Sequence, residues 1–188
     1  MSHFEEMWGT AALQSVFRST MNAFSYPGRI FKLGSESSPA AVLSLMASLL
    51  DNQVTLSDGC GCLPQKFINL TDAKIAPSMD ADFVILSGVD PDRSQPFKSG
   101  TLSNPEESAT LVLIVNDFNT GQGFEMILEG PGVLGTQSVQ VDGLDQAWIS
   151  IRNEQCASFP LGVDYIFCSE TSIFALPRST QVHLKQGL

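Results

Sequence analysis

A chain of 188 residues, 43% of them hydrophobic, can bury a core of its own and is too apolar to remain disordered. Twenty acidic residues against ten basic ones give a net charge of −10, which disfavours nucleic acid as a partner because no lysine–arginine cluster exists to release counterions. The longest aliphatic run, residues 111–115, is far too short to span a bilayer, and Glu5 and Glu6 stand where a secretory leader carries positive charge, so a single cytoplasmic domain is expected.

Over residues 10–24 the apolar positions Leu13, Val16, Phe17, Met21 and Phe24 recur at steps of three and four, which predicts an amphipathic helix with these side chains on one face. Ser25-Tyr26-Pro27-Gly28 ends it: Pro27 sets its own φ, and Gly28 accepts the positive φ of a type II turn. A short strand over residues 29–33 follows. Ser38 as N-cap and Pro39 at the first helical position open a second helix, with Val42, Leu45, Met46 and Leu49 as its buried stripe. A strand is expected over residues 53–56 and a short helix over 64–70.

Residues 83–86, 110–115, 125–128 and 138–141 are short apolar or alternating runs bounded by Gly, Pro, Asp or Asn, which predicts strands. Between the first two, Pro91, Pro96 and Pro105 mark residues 90–107 as an exposed loop. A helix is expected over 142–154, with Leu144, Ala147, Trp148 and Ile151 facing inward. Strands over 163–168, 172–176 and 181–184 close the chain. Helices gathered early and strands late argue for an α/β fold, a mixed β-sheet flanked by helices, rather than a strict βαβ alternation.

Few motifs carry chemistry. Gly130-Pro131-Gly132-Val133-Leu134-Gly135 satisfies the dinucleotide fingerprint literally, yet a strand-like run follows where a helix is needed, and Pro131 removes an N–H donor, so a tight hairpin turn is expected. Cys60-Gly61-Cys62 pairs two thiols, but no second cysteine pair follows and the histidines are His3 and His183 alone, so reduced thiols and no metal are expected. His183 reads as a strand residue, Glu106 and Glu107 as loop residues, and Asp80 and Asp82 as turn residues. No nucleophile elbow is present.

Arg18, Asp164 and Arg178 are better candidates. Arg178 precedes Ser179 and Thr180, so a guanidinium fork and two hydroxyls meet at a strand junction able to clasp a phosphate or carboxylate. The favoured reading of the same residues is an Asp164–Arg178 ion pair clipping neighbouring strands together.

Several blocks also share wording with one family. They are Phe17-Arg18, Ser25-Tyr26-Pro27-Gly28-Arg29-Ile30, Leu49-Leu50-Asp51, Ala109-Thr110-Leu111, Gly130-Pro131-Gly132, Phe159-Pro160-Leu161-Gly162-Val163-Asp164 and Leu176-Pro177-Arg178-Ser179-Thr180-Gln181-Val182. Over residues 17–184 the sequence resembles the PhnH family of the carbon–phosphorus lyase system. That resemblance implies the fold of the large domain of pyridoxal-phosphate-dependent transferases without the cofactor. It implies a homodimer in isolation and partners of the PhnG, PhnI, PhnJ and PhnL types. The function it implies is a subunit role, architectural rather than catalytic, in transferring triphosphoribosyl from ATP to an alkylphosphonate with release of adenine, ahead of C–P cleavage.

The lysines, Lys32, Lys66, Lys74, Lys98 and Lys185, lie in no turn suited to a Schiff base, so no cofactor is expected. Arg18, Ser25, Asp164, Arg178 and Thr180 are the candidate ligand- or partner-binding residues. Pro27, Gly28, Gly130, Gly132, Pro160 and Gly162 are the candidate structural turns. A stand-alone transferase and a small phosphate- or phosphonate-binding module are the alternatives.

Overall fold

The strand-like runs assemble into two sheets rather than one. A computed structural model describes residues 8–33 and 40–185; Glu5, Glu6, His3 and the helix start expected at Ser38 and Pro39 lie outside them. The helices are α1 (Thr10–Ser25), α2 (Ala41–Leu49), α3 (Gln65–Thr71) and α4 (Ala147–Gln155). The strands up to the middle of the chain are β1 (Phe31–Lys32), β2 (Thr55–Asp58), β3 (Lys74–Ile75), β4 (Phe83–Ser87) and β5 (Thr110–Ile114). They continue with β6 (Asp117–Phe118), β7 (Phe124–Glu129), β8 (Gln137–Asp142), β9 (Asp164–Cys168), β10 (Ser172–Leu176) and β11 (Gln181–Leu184).

A seven-stranded mixed sheet runs β1-β10-β9-β5-β4-β2-β3, and a four-stranded sheet runs β11-β7-β8-β6. In the first, β3, β2, β4, β5 and β9 are parallel, while β9–β10 and β10–β1 are antiparallel. The second is antiparallel throughout. Side-chain patterning separates the two. The centres of β4, β5 and β9 are apolar on consecutive residues, as strands covered on both faces must be. In β7 and β8 buried and less buried residues alternate, the signature of a sheet with one wet face.

The mixed sheet therefore sits between two cores. Val84, Leu86, Leu111, Leu113, Tyr165, Phe167, Phe174 and Leu176 face the small sheet and α4, meeting Met126, Leu128, Val139, Val141, Trp148 and Ile151. Ile85, Val112, Ile166, Ile173 and Ala175 point the other way, towards Ala23 of α1, Leu45 and Met46 of α2, and Phe67 of α3. Aromatic pairs tie the first core across the layers: Phe167 and Phe174, directly opposite on β9 and β10, stack at 4.6 Å, and Phe118 of the small sheet meets Phe174 edge-on at 5.2 Å.

Several expected elements shift. Helix α1 keeps its span, but its buried face is Leu13, Val16, Thr20, Ala23 and Phe24, while Phe17 and Met21 stand 47% and 51% exposed. The turn after it forms as expected, with Gly28 at φ +84° and the Arg29 N–H donating to Tyr26 O at 3.1 Å. The expected strand at 53–56 lies two residues later. The helix expected from 142 begins at Ala147, because β8 runs on through Asp142 and the Asp145 carboxylate accepts the Ala147 N–H at 2.8 Å. Strands β3 and β6 are two residues each, too short to leave a pattern. The glycine-rich segment does join two antiparallel strands, but as a broad loop over 129–136 between the paired residues Leu128 and Gln137.

Asp82, just before β4, is more than a turn residue. Its carboxylate accepts the Thr55 N–H at 2.8 Å and the Thr55 hydroxyl at 2.7 Å, and it pairs with Lys98, locking the starts of β2 and β4 to the long loop. Burial opposes its ionisation, but the Lys98 ammonium and the Thr55 donors outweigh it and hold the carboxyl below the usual aspartate range. A depressed folded-state pKa means this stabilisation is full above the unfolded value near ~3.9 and is lost as pH falls through the folded value. Urea titrations from pH 6 down to pH 2 should therefore show an acid loss of stability that shrinks in Asp82→Asn.

Candidate functional site

The chain passes from the mixed sheet to the small one through Pro177-Arg178-Ser179-Thr180, and this crossing is where polar groups concentrate. The turn closes by a Thr180 N–H to Pro177 O bond of 2.9 Å. Asp164, opening β9, grips it from beside: its carboxylate accepts the Arg178 backbone N–H at 2.7 Å, Nε at 3.3 Å and Nη2 at 2.5 Å. Nη1 of Arg178 goes on to Pro105 O at 2.6 Å and Pro160 O at 3.4 Å. The two side chains are only 16% and 20% exposed. Arg178 thus binds the β9 start, the turn, the 105 loop and the 160 loop at once.

A second arginine holds the turn from below. Arg152 of α4 follows Trp148 by four residues and Ile149 by three, so it shares their inward face, and it is 1% exposed. Its Nη2 donates to Pro177 O at 2.6 Å and to Thr180 O at 3.0 Å. Neighbouring Asn153 donates to Val182 O at 3.0 Å, so α4 is stitched to both the turn and β11. Among the described residues Arg152 has no carboxylate ion pair, and its Nε is buried without a hydrogen-bond partner, as is the Thr180 hydroxyl. Burial pulls the Arg152 pKa down, against the opposing pull of Cys156, Tyr165 and Asp164.

Above these groups opens a pocket of about 520 Å³, walled by Pro131, Arg152, Phe159, Arg178, Thr180 and His183 among others. Among the described residues no aspartate, glutamate or lysine is on its wall, although the chain carries a net charge of −10. Arg152, Arg178, Ser179, Thr180, Asn153 and Gln181 line one space, together with exposed Phe159. Such a wall suits an oxyanion: hydrogen-bond donors abound, and the buried Arg152 lacks a counter-charge of its own.

The surrounding loops approach by way of glycine. A side chain at Gly132, φ +81°, would stand 2.3 Å from Ser25 O, and one at Gly28 2.7 Å from Gln137 Cγ and 2.8 Å from Leu128 Cδ1. A Cβ at Gly130 would lie 3.1 Å from Ser179 O. The 129–136 loop is therefore wedged between the Ser25–Gly28 turn and the Pro177–Thr180 turn.

Of the residues singled out in the sequence, Asp164, Arg178 and Thr180 meet at this junction. Ser25 reaches it by its backbone, while its hydroxyl turns back to Met21 O at 2.8 Å. Arg18 is exposed on α1 with no side-chain hydrogen bond or ion pair among the described residues. Pro160 and Gly162 frame the 160 loop. Arg152 escaped the sequence reading; its signal was an arginine four residues after Trp148 on an otherwise apolar helix face.

Three of the segments that converge here, residues 25–30, 159–164 and 176–182, are the longest of the blocks that carry the resemblance. Over residues 4–183 the chain matches the family described as bacterial phosphonate metabolism protein (PhnH). The chain belongs to the PhnH family. Within it, the chain is 36% identical over 179 residues to the putative C-P lyase subunit protein HtxG of Stutzerimonas stutzeri, covering 95% of this chain and 90% of that one. It is 29% identical over 181 residues to the alpha-D-ribose 1-methylphosphonate 5-triphosphate synthase subunit PhnH of Rhizobium meliloti (strain 1021), covering 90% and 89%. In this PhnH-family chain Asp164, Arg178 and Thr180 gather at one crossing between sheets.

Because Asp164 and Arg178 are mostly buried, Arg178→Ala should lower stability by about 2–3 kcal/mol in denaturant titration. A double-mutant cycle with Asp164→Asn should return a coupling of about 1–2 kcal/mol, since each partner loses the same contact.

Proposed function

We propose that this protein is a subunit of a carbon–phosphorus lyase assembly that, with PhnG-, PhnI-, PhnJ- and PhnL-type partners, transfers triphosphoribosyl from ATP to an alkylphosphonate. Its part is architectural. The observation that carries this reading is the uncovered apolar side of α1: Phe17 and Met21, one helical turn apart, are about half exposed in a chain whose relatives are named as subunits. Arg18, next to Phe17 on the same helix and exposed, supplies a cation for a partner's rim. We take the chain as one domain working in the cytoplasm, dimeric when its partners are missing.

The likeness to the large domain of pyridoxal-phosphate-dependent transferases belongs to the same proposal, without the cofactor. No lysine lies on the pocket wall, and Lys98 and Lys185 are engaged by Asp82 and Glu125. Arg152 favours a second, compatible reading, in which the pocket forms one wall of a nucleotide or phosphonate site. Arg152 and Arg178 would face the anion, and the unpartnered Thr180 hydroxyl would donate to it.

Co-expression with the four partner types should give an assembly that releases adenine from ATP plus methylphosphonate, while the isolated chain releases none. Turnover by the isolated chain overturns the subunit reading. Phe17→Glu combined with Met21→Glu should cut recovery in a pull-down by about tenfold, the loss of roughly 1.4 kcal/mol of contact, with the melting temperature unchanged. Isothermal titration with methylphosphonate and with ATP tests the pocket; no heat from either, alone or in the assembly, removes the anion reading.

A further inference from the structure

Away from this junction, at the carboxyl end of β2, Asp58-Gly59-Cys60-Gly61-Cys62 brings three metal-ligating groups together. The thiol sulfurs of Cys60 and Cys62 and one carboxylate oxygen of Asp58 all lie within 4.8 Å of one another. We propose that these three side chains bind a thiophilic divalent cation of the zinc class, with the fourth coordination position open to water.

The geometry carries the assignment. Zinc–sulfur bonds of about 2.3 Å and zinc–oxygen bonds of about 2.1 Å at tetrahedral angles require a sulfur-to-oxygen edge of about 3.6 Å. The observed edges are 3.5 Å from Cys60 Sγ to Asp58 Oδ1 and 3.7 Å from Cys62 Sγ to the same oxygen. Both sulfur-to-oxygen edges thus already match an ion held tetrahedrally, and the sulfur-to-sulfur edge lies within 4.8 Å.

The carboxylate is also aimed before any ion arrives. Asp58 Oδ2 accepts the Leu63 N–H at 2.8 Å, and Oδ1 accepts the Cys62 N–H at 3.2 Å, which is the outer support that orients a ligand in metal sites. Strand β2 is paired on both sides, by β3 and β4, so the anchor is rigid. Gly61, φ +64°, lets the chain double back between the thiols, and a Cβ there would meet nothing within 4 Å, which leaves an open approach. Two thiolates select zinc-class ions over magnesium or calcium. The cysteine pair alone falls short of a ligand set; the third ligand sits two residues upstream and is delivered by the strand end.

The test uses the full chain, reduced and stripped with a chelator, then titrated with Co²⁺ and with Zn²⁺ against a chromophoric chelator. One equivalent of Co²⁺ should bind with thiolate-to-metal charge-transfer absorption in the near ultraviolet, and Zn²⁺ should displace it. Cys60→Ser, at an exposed position, should abolish that band and weaken affinity at least tenfold with an unchanged melting temperature; Asp58→Asn should weaken it by roughly ten- to hundredfold. The proposal is overturned if the reduced wild type takes up no stoichiometric metal or if Cys60→Ser leaves both the charge-transfer band and the affinity unchanged. It is equally overturned if the pair closes to a disulfide in air and the re-reduced protein still binds no ion, which would mark a redox couple.

Discussion

The arrangement of the two sheets depends on how one short turn is held. Pro177–Thr180 carries the chain out of the mixed sheet and into the small antiparallel one, and its carbonyls would be costly to bury without donors. Arg152 supplies them from the helix beneath, and Arg178, paired with Asp164, fastens the same turn to the start of β9 and to two loops. A neutral donor could satisfy the carbonyls alone. A guanidinium also spans several acceptors at fixed angles, so one side chain sets the separation of helix, turn and strand.

That solution leaves a charge to be accounted for. Arg178 has its carboxylate, whereas Arg152 is buried beside Asp164 without bonding to it, and its Nε and the Thr180 hydroxyl end unpartnered at a pocket free of acidic residues. The groups that scaffold the crossing are therefore the same ones that line the pocket. The glycines bordering the pocket belong to this economy as well: three loops from distant parts of the chain meet at distances that leave no room for a Cβ.

Elsewhere the molecule spends its polar groups on fastening strand ends. Asp82 and Asp58, both at the margins of parallel strands, accept backbone N–H groups and thereby fix loops that side-chain packing does not reach. At the C-terminal edge of β2 this fixing draws the Cys60 and Cys62 thiols around one carboxylate oxygen. On α1, by contrast, apolar side chains remain without cover, which is the feature expected of a surface that meets another chain.

Local rules sufficed for much of this. Periodicity located α1 and the buried stripe of α2, the uninterrupted apolar runs located β4, β5 and β9, and the Pro27-Gly28 pair specified its turn, because each depends on interactions within a few residues. The strand junction at Asp164 and Arg178 was legible too, since a hairpin sets two residues opposite one another by counting. Whether Phe17 or Thr20 faces the core was not legible, since both lie on the edge of one helical stripe and the neighbouring layer decides. The split into two sheets, the burial of Arg152 and the approach of Asp58 to the thiols likewise arose only in three dimensions. Each is an encounter between surfaces whose shape is set by the rest of the fold, and no local pattern encodes it.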